Sequence, residues 1–226
     1  MEKILGLDIG TLFWIALPVI MLISYFLSPA YKTARQLKNT QRKPIHRVRE
    51  NEYAKIVGKA VNFETPLTAP ISKRACVYYE VVVKRQDLHG NWIPIVNDIL
   101  FQNFYIVADN DTALVNLNLS RKDRKLLNLV SDHSVHSGTF NDASEAFKQY
   151  LRTHSKKSTN ALGFNKSLRY TERIIEINEE IAVMGLCKWK KQSNSTNANE
   201  KQLMLYGTTK QKLYITDVPK AMKPIK

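Results

Sequence analysis

From Ile9 to Leu27 the chain reads IGTLFWIALPVIMLISYFL, without a charge and almost wholly apolar. An α-helix rises 1.5 Å per residue, so about 19 to 20 residues cross a hydrocarbon core of roughly 30 Å. Residues 9–28 are therefore expected to form a transmembrane helix, preceded by a short tail, 1–8. Pro18 is tolerated there, and Trp14 and Tyr25 lie where amphipathic rings favour the interface. Residues 29–52 turn polar and basic with no sustained hydrophobic face, and read as a juxtamembrane linker or frayed helix.

At Tyr53 the period shortens to two. YAKIVGKAV, ACVYYEVVVKR, the two halves of NWIPIVNDILFQNFYIVAD, and TALVNLNL all alternate or are rich in β-branched and aromatic residues, as strands are. DLHGNW, with Gly90, and ADND supply turns between them. DASEAFKQYLRTH places Asp142 as an N-cap with Glu145 three residues on, and Ala146, Phe147, Tyr150 and Leu151 on one helical face. RYTERIIEI and IAVMGLCKW form a hairpin about NEE. KKQSNSTNANEK is a polar loop, and QLMLYGTTKQKLYITDV reads as a closing hairpin turning at GTTKQ. The fold class is mainly β with α: an N-terminal transmembrane helix, then an antiparallel, partly closed barrel or sandwich over 53–218 with one or two inserted helices, ending in a tail at 219–226.

Charge adds orientation. Lys32, Arg35, Lys38, Arg42, Lys43, Arg47 and Arg49 follow the apolar run, against only Lys3 before it. The positive-inside rule then keeps the C-terminal part in the cytoplasm. A cleavable signal peptide is the rival reading; its leader should be basic, whereas MEKILGLD also carries Glu2 and Asp8. The net charge of +14, concentrated from Lys148 onward, suits anionic lipid headgroups and, less well, nucleic acid.

Candidate chemistry is sparse. Cys76 and Cys187 stand alone, which fits a reducing compartment and gives neither a disulfide framework nor a metal pair. A reactive cysteine needs a His or a helix N-terminus to stabilise its thiolate, and neither has a fixed relation to Cys76; both cysteines read as core. Asp132, His133 and His136, in SDHSVHSG, are the most metal-like group, but read as loop residues without a third or fourth ligand. His46, His89 and His154 suggest nothing. Glu172, after Arg169 and Tyr170 and before an apolar pair, is expected in a buried or half-buried ion pair; a general-acid or base role would need a second polar group in a pocket. Tyr78, Tyr79 and Trp92 form either a binding platform or core. Adjacent Tyr78 and Tyr79 point to opposite faces of a strand, so at most one can stack a base. No catalytic, cofactor-binding or metal-ligating set is expected, and no cofactor.

Taken in order, VGKAV, PLTAPISKRACVYYEVVV, Trp92, FYIVAD and RYTERIIEINEEIAVMG resemble the GIDE family, whose shared domain is called BAM, beside-a-membrane. The similarity runs from about Lys55 to Cys187, with Gly58, Pro66, Pro70, Cys76, Tyr78, Tyr79, Trp92, Glu172 and Gly185 on the pattern. The family includes a mitochondrial membrane ubiquitin ligase, with a second span and a RING, and bacterial relatives. A RING holds two zinc ions with eight Cys/His ligands, mostly in close pairs. Two isolated cysteines cannot supply them, so the chain looks like the bacterial members. The resemblance implies a membrane-anchored, non-enzymatic binding domain with an unknown protein or lipid partner. A ubiquitin-ligase-type function and nucleic-acid binding by an OB-like barrel are the alternatives.

Overall fold

A computed structural model describes the chain except residues 1–2, 5–6, 119, 121–122, 139–140, 161, 192–200 and 224–226. The fold is mainly β with few helices: a closed five-stranded barrel continues into a half-barrel sheet. The strands of three or more residues are β1 (Tyr53–Asn62), β2 (Ala75–Gln86), β3 (Trp92–Phe101), β4 (Phe104–Ala108), β5 (Asp111–Val115), β6 (His133–Ser137), β7 (Leu168–Glu176), β8 (Glu180–Lys191), β9 (Lys201–Tyr206) and β10 (Tyr214–Thr216). The helices are α1 (Ile9–Leu27), α2 (Pro29–Asn39), α3 (Glu145–Thr153) and the single turn α4 (Pro219–Met222).

The barrel closes in the order β9, β5, β4, β1, β8 and back to β9. Ile56, Ala60, Phe104, Ile106, Val115, Ile181, Val183 and Leu205 fill it at alternate strand positions, as burial of one face requires. The Asp109–Asn110 turn joins β4 to β5 with both residues at positive φ, the geometry that matches strand twist. At Gly58 the strands approach closely: a Cβ there would lie 2.3 Å from the Val107 carbonyl oxygen.

β2 and β7 run from the barrel into the half-barrel, whose order is β6, β7, β2, β3. Val77, Tyr78 and Ile175 belong to the barrel core, while Val81, Val83, Leu168 and Tyr170 belong to a second core under α3. Phe147, Tyr150 and Leu151 are the buried side of α3.

Several sequence expectations need correction. The α3 N-cap is Ser144, whose Oγ accepts the Phe147 N–H at 3.3 Å, and not Asp142, which pairs with Asn165 instead. Ala146 is consequently exposed and Ala143 takes the inward place. β9 and β10 do not form a hairpin. Both lie along the same edge of β8, and β9 also pairs in parallel with β5 to close the barrel. The polar loop expected around 192–200 lies outside the described residues.

The expected linker is also structured. Ser28 caps α2, accepting the Tyr31 N–H, and Leu37 and Thr33 are buried. Leu37 packs with Ala182, Met184 and Ala221 on the outer face of the barrel, so α2 and α4 together cover it. Lys55 faces outward from β1 beneath them and is 1% exposed; its Nζ donates to the Leu37 and Thr40 carbonyls at 2.6 and 3.0 Å. An ammonium there satisfies the orphan carbonyls of a helix end and matches its negative dipole. Ile45 and Val48 then enter the barrel core. For α1, no helix among the described residues is long and apolar enough to cross a membrane; the side chains of residues 9–13, 15 and 25 lie outside that description.

Candidate functional site

Cross-strand pairing brings polar groups into one row on the inner face of the half-barrel. His133 of β6 is the register partner of Glu172 on β7, Glu172 of Val81 on β2, and Val81 of Asp98 on β3. Register partners share a face, so His133, Glu172 and Asp98 all look toward α3. The parallel row below is apolar except for Tyr170: Val135, Tyr170, Val83 and Val96.

Three tyrosines close this face. Tyr170 meets Phe147 and Tyr150 edge-on, at 5.5 and 5.6 Å between ring centres. Tyr150 Oη donates to Asp98 Oδ2 at 3.1 Å, and His154 Nε2 lies 3.6 Å from that oxygen. Burial pushes the Tyr150 and Tyr170 hydroxyls far above their ordinary range, and Asp98 and Glu172 respectively add to it. Tyr79 is raised in the same way, by burial first and Asp98 second. These phenols are therefore neutral donors at any physiological pH, suited to holding carboxylates and unsuited to proton transfer.

Glu172 is the centre of the arrangement and is fully buried. Its Oε2 accepts the Ser72 N–H at 3.1 Å from the turn between Ala69 and Arg74, a turn closed by Ala69 N to Arg74 O and Lys73 N to Ala69 O. Glu172 Oε1, Tyr170 Oη and Ser72 Oγ are buried around the same point without a hydrogen bond of good geometry. Arg74 anchors the turn, reaching Asp132 at 3.2 Å and Glu176 at 2.9 Å, while Asp132 Oδ2 accepts the Ile174 N–H.

The ion pair expected at Glu172 is not found among the described residues; Arg169, three residues away, sits on the opposite face of β7 and stacks over Trp92 at 4.3 Å. His133 and His136 lie on a strand rather than a loop and, three residues apart, face opposite sides. Asp132, His133 and His136 therefore do not converge, and no group of three or more His, Cys, Asp or Glu among the described residues could hold a metal ion. Tyr78 is buried in the barrel core and Tyr79 packs on the other face, so neither offers an open stacking platform. His46 pairs with Asp111 at the surface, and His89 sits in the β2–β3 turn. Asp98 and Ser72 escaped notice in the sequence, and Tyr150 was read only as part of the apolar face of its helix. Their detectable signal was parity: Glu172 and Asp98 occupy inward positions of strands that otherwise alternate cleanly.

Cys76 is fully buried against Ala69 and Ile174, and Cys187 is buried in the barrel core. Burial, with Glu172 and Glu176 nearby, pushes the Cys76 thiol up to about 12; burial also carries Cys187 to about 11. Thiolate is then negligible at neutral pH. Neither cysteine should react with a water-soluble maleimide in the folded protein, and both should react on unfolding. Cys76→Ala should cost about 1 kcal/mol, with Cys76→Ser no better tolerated because it buries a hydroxyl. Fast native labelling at unchanged stability would contradict the packed thiol.

Burial raises the Glu179 carboxyl from its ordinary 4.5 to about 7, with Asp217, Asp132 and Glu176 contributing; the Glu176 N–H, 2.8 Å away, offsets part of this. A carboxyl raised on folding binds more protons in the native state between these values, so stability falls as pH rises from 4.5 to about 7 and levels off above. Glu179→Gln keeps the acceptor and removes the charge. It should stabilise the protein by about 2 kcal/mol at pH 8, after discounting for screening, and by nothing near pH 4. Urea unfolding at the two pH values reads this directly; equal effects at both would refute it.

No protein-family model matches the chain, and neither a curated protein nor a solved structure is significantly similar to it.

Proposed function

We propose that the chain is a membrane-anchored, non-enzymatic binding domain that works at the membrane surface with its β domain on the cytoplasmic side. The observation that carries this reading is α1. Its described large side chains are exposed around the helix, Trp14 at 73% and Ile20 and Met21 at 63%, and among the described residues α1 makes no extensive contact with a barrel strand. An apolar surface of this extent is unstable in water and calls for lipid or a partner. As a helix, the 19 residues Ile9–Leu27 measure about 28 Å, close to the thickness of a hydrocarbon core.

α2 then sets the height of the domain. It leaves α1 at Ser28 and is pinned to the barrel by Leu37 and Lys55, which holds the barrel beside the headgroups. Lys32, Arg35 and Lys38 lie on α2, and Arg42 and Arg47 line the cleft beyond it, each worth about 1 kcal/mol against anionic lipid when well placed. The neutral tyrosines of the half-barrel and the two buried thiols, Cys76 and Cys187, favour binding over catalysis. The resemblance to the GIDE family supports the same reading.

A reporter fused to the C-terminus tests the orientation. The basic flank predicts activity for a reporter that works only in the cytoplasm. Activity of a reporter that works only outside it would overturn the proposed sidedness.

A further inference from the structure

The half-barrel ends, away from the barrel, in two neighbouring loops that display large apolar side chains to solvent. One is the β2–β3 turn. Asp87 Oδ1 accepts the His89 and Asn91 N–H groups at 2.9 and 2.8 Å, and Leu88 at its tip is fully exposed. The other precedes β7. Asn160 Oδ1 accepts the Leu162 and Phe164 N–H groups at 2.9 and 3.0 Å, and the Asn160 N–H returns to the Phe164 carbonyl at 2.8 Å. Leu162 is 80% and Phe164 65% exposed. The Gln86 N–H donates to the Ser167 carbonyl at 3.0 Å, so the loops share one end of the sheet.

Both loops are tied by their own side chains, so their apolar tips are presented with little ordering left to do on binding. Basic residues stand at the bases of both loops and form a collar behind the tips: Lys84 and Arg85 at the end of β2, and Lys156, Lys157 and Lys166 on the two arms of the second loop. None of these five is in a described ion pair, and Lys166 Nζ meets only the neutral Lys157 carbonyl. The nearby carboxylates are engaged, Asp87 by its turn, with Arg85 close enough to act on it, and Asp142 by Asn165.

We infer that this tip is a second membrane contact, in which Leu88, Leu162 and Phe164 enter the interface of an anionic bilayer while the collar meets its phosphates. A protein interface tends to exclude charge from its core, whereas a bilayer offers an apolar layer beneath a layer of negative charge. The tip has that same order: apolar points outermost, cations behind them. The experiment distinguishes two bilayers, the one holding α1 and one apposed to it. The inference is independent of α1, although the experiment below uses α1 for reconstitution.

The test attaches an environment-sensitive fluorophore to Leu162→Cys in the full chain; Cys76 and Cys187 are buried and leave the new thiol as the reactive one. The labelled chain is incorporated into lipid nanodiscs, and phosphatidylglycerol-containing vesicles are added. Spin-labelled lipid is placed either in the disc or in the vesicles. We expect a blue shift and quenching from one of the two, which identifies the bilayer engaged. Both should fall about threefold or more in pure phosphatidylcholine, and likewise when Lys156, Lys157 and Lys166 are changed to Gln. A water-like, unquenched signal in both arrangements would overturn the inference. Equal quenching with and without anionic lipid would overturn it too, by removing the role of the collar. Failure of α1 to enter the disc is read separately, as loss of co-elution with the disc. In that case the vesicle arm alone decides for the tip.

Discussion

Gly58→Ala should unfold the barrel or nearly so. A Cβ at this position would stand 2.3 Å from the Val107 carbonyl oxygen and 2.9 Å from its carbon, and both are backbone atoms of the neighbouring strand β4. No rotamer change relieves that contact. Relief requires β1 and β4 to separate where Lys59 and Ala60 pair with Val107 and Ile106, and Ile106 is in the centre of the core. Overpacking that displaces backbone lies beyond the usual 1–3 kcal/mol, so the cost should be about 4 kcal/mol or more. Domains of this size are typically stable by roughly 5–15 kcal/mol, and the remaining margin is small. Urea unfolding followed by the fluorescence of Trp189, which packs against the barrel core, would measure it. A loss under about 1 kcal/mol would mean that β1 and β4 are not apposed in this way.

Lys55→Ala should release α2 from the barrel. The ammonium is buried, and burial, with Arg42 nearby, lowers its pKa. Its two charge-assisted bonds to the Leu37 and Thr40 carbonyls compensate for that cost. Truncation removes the stem and leaves two helix-end carbonyls without a donor, for a loss of about 3 kcal/mol. Lys55→Met keeps most of the volume and loses only the capping, so it should cost about half as much. Amide hydrogen exchange along Pro29–Asn39 separates this from general destabilisation. In both variants exchange in α2 should quicken before exchange in β8 does. Uniform quickening across α2 and β8 would show that Lys55 contributes only to overall stability.

What the sequence revealed follows from local physics. Alternation located the strands, and Asp109–Asn110 and Gly90 marked turns because few other residues adopt positive φ without strain. Partnering that depends on remote segments was not legible. Lys55 reads as a solvent residue until α2 is known to lie over it, and α2 itself reads as a basic linker because its docking side rests on few apolar residues. Ser144 rather than Asp142 caps α3, since Ala143 must be buried and that fixes the helix register. The pairing of His133 with Glu172 joins strands β6 and β7 across a helix and a long loop, a separation no motif spans. Glu172 attracted attention in the sequence as half of an ion pair, and its partners are not cations. Its surroundings are a backbone N–H, a serine and a tyrosine, brought together by the turn at 69–74.

The central claim is that α1 holds this β domain on a membrane, and carbonate extraction of membranes containing the full chain tests it most directly. The wild-type chain should remain in the pellet through carbonate and high-salt washes. A variant with Ile20→Lys and Ile23→Lys should move to the supernatant with its barrel still folded. Each lysine near the centre of such a helix opposes insertion by about 3 kcal/mol, and neither Ile20 nor Ile23 belongs to the barrel core. Release of the wild-type chain by either wash would contradict the account.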